Sequence, residues 1–116
     1  MGWHPTLKSD KTNSQDLSAA ALSYTTAYGR AVKIEAVILK ASVAITETVT
    51  ITLDSGQGSN YDVVLHVEDL VSQSSFIWRP AGGLNLQAGD EIKIQCTAAN
   101  LTGIVYPLVK GSEILQ

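Results

Sequence analysis

The stretch Leu84-Asn85-Leu86-Gln87-Ala88-Gly89-Asp90-Glu91-Ile92-Lys93-Ile94-Gln95-Cys96 most narrows what this chain can fold into. Leu84 and Leu86 alternate with polar neighbours, and after Ala88-Gly89-Asp90 a second run places Ile92, Ile94 and Cys96 against Glu91, Lys93 and Gln95. A period of two makes one face of each run apolar and the other wet, the pattern of a half-buried strand. Gly89-Asp90 supplies a tight turn, because glycine tolerates positive φ and the Asp carboxylate accepts bonds from nearby amides. The stretch points to a small all-β domain and carries no chemistry.

The rest of the chain repeats this grammar. Residues 20–27 are rich in side chains that suit a pleated surface and predict a first strand, closed by Tyr28-Gly29-Arg30. In the next strand, 31–41, Val32, Ile34, Ala36 and Ile38 share one side with Lys33 and Glu35 opposite. Val37 and Leu39 break the alternation, so its second half should be covered on both faces, by the N-terminal segment or by another subunit. Residues 46–54 keep strict period, with Val49, Ile51 and Leu53 inward and Thr48, Thr50 and Thr52 outward. The turn residues at 54–60 lead into 61–68, where Tyr61, Val63, Leu65 and Val67 should face the core and His66 the solvent. Phe76 and Trp78 share a face, expected to be the core, in a short strand stopped by Pro80. The last strand, 102–110, puts Ile104, Tyr106 and Leu108 on one side and Val105 and Val109 on the other. Pro107, lacking an amide hydrogen, predicts an edge or a bulge there.

About seven or eight strands with frequent turn signals predict an antiparallel β-sandwich, jelly-roll-like. The expected organisation is a flexible N-terminal arm (1–16), a β-sandwich domain (17–111) and a short C-terminal tail (112–116). A chain of 116 residues suits one such domain.

Charge and composition bear on partners. The net charge is -3 and the eight Lys and Arg are scattered singly, so no basic stripe exists to neutralise phosphates and nucleic acid is not an expected partner. No stretch approaches the roughly 18 apolar residues of a transmembrane helix, and residues 1–22 lack an apolar signal core, so no membrane role is expected. The lone Cys96 allows no internal disulfide and reads as a small buried hydrophobe.

Residues that could carry catalysis are few. His4 and His66 stand far apart in the sequence, and no metal or other cofactor is expected. Asp54, Ser55, Asn60 and Asp62 offer oxygens but not the spacing of an EF-hand loop. There is no G-x-S-x-G elbow, and adjacent Glu68 and Asp69 would point to opposite faces of a strand. Asn100-Leu101-Thr102 fits a glycosylation acceptor, which the missing secretory signal makes a chance match. Tyr24, Tyr28, Tyr61 and Trp78 are the side chains a sugar could stack on. The expectation is a protein that is not an enzyme.

Val-Lys-Ile-Glu-Ala running into Thr-Val-Thr-Ile-Thr-Leu-Asp-Ser within 31–55, together with 61–65, 76–80 and 84–95, resembles small β-sandwich auxiliary proteins of tailed-phage virions, of the capsid decoration or cement type. The resemblance implies a non-enzymatic virion protein, made in the host cytoplasm, that binds the major capsid protein or other virion proteins and forms a homo-oligomer, trimer or dimer. It also implies a terminal arm reaching a neighbour. Trp3, His4 and Leu7 in that arm, and the doubly apolar Val37, Leu39, Val105 and Val109, are the expected partner interface. A carbohydrate-binding module, or a receptor-binding fibre or tail accessory domain, is the alternative.

Overall fold

The computed structural model describes residues 10–96 and 102–114. They form eight strands: β1 Lys11–Thr12, β2 Gln15–Asp16, β3 Ser23–Ala27, β4 Val32–Asp54, β5 Val63–Trp78, β6 Leu84–Leu86, β7 Glu91–Cys96 and β8 Ile104–Glu113. All pairings are antiparallel. The order β1-β8-β4-β7-β3 is one sheet, with β2 beside β8 and with β5 and β6 beside β4, and it nearly closes into a barrel. The all-β, antiparallel class is as expected.

Two pairs of expected strands are single long ones. Residues 31–41 and 46–54 join into the 23-residue β4, and 61–68 and 76–79 into the 16-residue β5. Neither junction contains Gly or Pro, and the chain bends there by bulges without leaving the sheet. Register shifts fall between Lys40 and Ile45 and between Ile45 and Glu47. Opposite them Ser72 takes φ 50, and its amide donates to Thr46 Oγ1 at 3.0 Å. The first half of β4 pairs with β8 and β6, the second half with β7, and β5 accompanies both.

The core is filled by the inward residues of these strands: Val32, Ile34, Val37, Leu39, Val49 and Ile51 from β4, Ile92 and Ile94 from β7, and Val105 and Val109 from β8. The phase of β4 changes at a register shift between Ile34 and Ala36. A bulge inserts one residue and moves every later side chain to the other face. Val37 and Leu39 therefore point inward, and Ile38, expected inward, points out.

Residues 11–16 are strands of the sheet and not a free arm: Lys11 pairs with Val109 and Gln15 with Val105. Gln15 secures the following link, its Nε2 donating to Ala21 O at 2.5 Å and its Oε1 accepting from Ser23 N at 3.1 Å. The C-terminal tail is likewise partly sheet, with Ile114 N donating to Ala31 O at 3.0 Å. Pro107 is buried in β8, between β1–β2 and β4, and not at an edge. Its carbonyl accepts from Asn13 N at 3.2 Å, so its missing N–H falls where β1 and β2 are interrupted by Asn13 and Ser14.

Candidate interaction surface

Several predicted interface residues are core. Val37, Val105 and Val109 are 0% exposed and Leu39 1%. Side chains without accessible surface cannot touch a partner unless the fold opens, so these four are not an interface. Their doubly apolar pattern arises because one side packs in the core and the other is an apolar outer surface. Trp3, His4 and Leu7 lie outside the described residues, as do residues 97–101 with the Asn100 of the acceptor sequence.

Two outward surfaces emerge instead. The first runs across four strands: Thr12 opposes Leu108, Leu108 opposes Ile38, and Ile38 opposes Ile77. Cross-strand neighbours in such a row lie about 5 Å apart and form one continuous face. Ile77 is 53% exposed, and Tyr106 beside the row is 44% exposed. Ile38, Leu108, Tyr106 and Lys40, with the Thr12-Asn13-Ser14 link as a lip, line an open groove of about 670 Å³. A hint of this face was in the sequence, since placing Phe76 and Trp78 inward sends Ile77 outward.

The second surface is the free edge of β5. Among the described residues β5 pairs only with β4, leaving its other row of N–H and C=O groups without a strand. Val63, Val64, Val67 and Val71 on this strand are each at least half exposed, and Tyr61 just before it is 63% exposed. An exposed apolar edge is a template for another strand, and folded proteins ordinarily blunt it with charge or proline. Here Glu68 and Asp69 are the acidic residues along that edge, and proline is absent from it.

Residues considered for chemistry serve structure. A register shift between Ile51 and Thr52 turns His66, expected outward, onto the inner face opposite Ile51. Its ring stacks on Trp78 at 5.7 Å between centroids and 16° between planes, and its Nε2 lies 2.8 Å from Glu68 Oε1. Cys96 is buried, and its Sγ accepts from Leu22 N at 3.2 Å. Asp62 Oδ1 accepts from Ser55 N at 2.8 Å, and Asp90 bridges two loops by accepting from Gly56 N at 2.9 Å and Gln87 N at 3.0 Å. These carboxylates brace turns. Among the described residues no group of three His, Cys, Asp or Glu is placed to hold a metal ion.

The aromatic candidates do not converge. Tyr24 and the buried Tyr28 belong to β3 and the turn after it, Tyr61 to the β4–β5 connection, and Trp78 lies under His66 at the far end of β5. Burial pushes the Tyr28 phenol up to about 12, and it raises that of Tyr24 as well. Hydrogen bonds from the Ser18 hydroxyl and amide lower the Asp16 carboxyl at the end of β2. No helix of the described residues is long and apolar enough to cross a membrane.

No family model matches the chain, and no curated protein matches it. Among solved structures it is similar to the Drosophila NLP core, described for pentamer formation and histone binding, with TM-score 0.47 and 11% identity over 88% of this chain and 96% of that one. It is also similar to the virus-like particle of the extra small virus of the giant freshwater prawn Macrobrachium rosenbergii, with TM-score 0.42 and 15% identity over 100% of this chain and 84% of that one. With both scores below 0.5, neither likeness carries a function across.

Proposed function

We propose that this chain is a non-enzymatic structural protein of a virion, of the capsid decoration or cement type, that works by adhesion to the major capsid protein shell and to copies of itself. The observation that carries the reading is the free, apolar β5 edge, centred on Val63, Val64 and Val67. A strand added there gains main-chain hydrogen bonds along its length, and the valine side chains beside the new ladder add apolar burial. Repeated over a shell, such contacts reinforce one another through multivalency, so each can be weak. The sequence resemblance supplies the virion context, with synthesis in the host cytoplasm followed by attachment to the shell.

The experiment is co-sedimentation of the purified chain with emptied tailed-phage shells, alongside a Val67→Lys variant. Val67 is exposed, so lysine there leaves the core untouched and places a charge on the edge. Saturable binding by the parent chain, weakened about tenfold or more in the variant, supports the reading. Equal binding by both removes the edge from it, and no binding by either removes the shell.

A further inference from the structure

The groove on the outer face is a separate surface from the β5 edge, and its occupant can be argued from where the chain enters the sheet. We propose that it seats residues 1–9 of a second copy of this chain, with Trp3 as the anchor.

The direction of β1 decides between the chain's own segment and that of a neighbour. Lys11 pairs with Val109 and Thr12 with Leu108, so tracing back toward residue 1 leads along β8 toward Lys110 and Gly111. Asp10 Oδ1 accepts from Gly111 N at 3.2 Å and fixes this exit. The groove lies the other way, beside Tyr106, Pro107 and Leu108. Asp10, where the described chain begins, thus stands at the end of β1 away from the groove. Nine extended residues reach at most about 30 Å, enough to cross onto a neighbouring copy.

The chemistry of the segment fits the groove. Trp3, Pro5 and Leu7 alternate with His4, Thr6 and Lys8, so an extended chain brings its three bulky apolar residues to one side. The groove offers Ile38, Leu108 and Tyr106 as an apolar floor, with Thr12, Asn13 and Ser14 along one wall. An indole packs its face on such a floor and needs an acceptor for its N–H, which the hydroxyl and amide oxygens of that wall supply. Each copy then donates one segment and receives another, which closes into a symmetric ring of two or three.

The test is sedimentation velocity of the full chain over a concentration series, with Trp3→Ala, Tyr106→Glu and the double variant. Tyr106 is 44% exposed, so its replacement spares the core. The parent chain is expected to associate, and each single variant to weaken association about tenfold or more. The double variant should be no weaker than the worse single, because both changes remove one contact. A synthetic peptide of residues 1–9 should dissociate the parent assembly. A monomeric parent, association indifferent to Trp3→Ala, effects that multiply in the double variant, or an assembly that the peptide leaves intact would each overturn the proposal. Shell binding is read separately through Val67→Lys, so failure here leaves the adhesion reading standing, and the reverse also holds.

Discussion

Gly103 and Val43 touch so closely that a Cβ added to Gly103 would sit 2.6 Å from Val43 Cγ2. Gly103 also takes φ +96, a conformation L side chains rarely adopt, and its carbonyl accepts from Leu17 N at 3.0 Å. It leads into β8 where β4 bends, and Ile104 N donates to Ser42 Oγ at 2.9 Å beside it. Gly103→Ala should destabilise the fold by about 2 kcal/mol through both overpacking and backbone strain. Adding Val43→Ala should restore the packing part alone. Urea denaturation of the single and double variants, with m unchanged, checks this.

Leu39 distinguishes core from interface. At 1% exposure it packs in the core, so Leu39→Ala should lower stability by about 2–5 kcal/mol while leaving the association constant of the folded fraction unchanged. Chemical denaturation and sedimentation on the same preparation give both values. Weakened association at normal stability would return Leu39 to the interface.

Tyr28 links the fold to alkaline pH. Its hydroxyl is buried without a hydrogen-bond partner among the described residues, and burial raises its titration from 10.0 to about 12. The folded state therefore holds a proton that the unfolded chain releases earlier. The contribution to stability is complete below pH 10 and falls as the pH rises from 10 through about 12. Tyr28→Phe should lose that tyrosine's share of the alkaline decline, because phenylalanine has no proton to release. Denaturant midpoints across that pH range test the sign.

The legible parts of the sequence were those where burial alone sets the pattern. Val49 and Ile51 are fully buried with Thr48, Thr50 and Thr52 on the outer side, and Ile92 and Ile94 are buried after the Gly89 turn, all as the alternation implied. Bulges were not legible, because an inserted residue changes the phase without a composition mark. That is why Ile38 and His66 lie on faces opposite to those expected. Nor was the docking of residues 11–16, which rests on main-chain hydrogen bonds that any side chains permit. Of the surface itself, Ile77 and Tyr106 could be inferred from their alternating neighbours. The free edge of β5 could not, since edge position is decided by the pairing of the whole sheet.

Co-sedimentation of the parent chain and its Val67→Lys variant with emptied phage shells measures the adhesion claim most directly. The parent is expected to saturate the shells, and the variant, equally stable in urea, to remain mostly in the supernatant. Equal pelleting of the two, or a parent chain that never pellets, would contradict it.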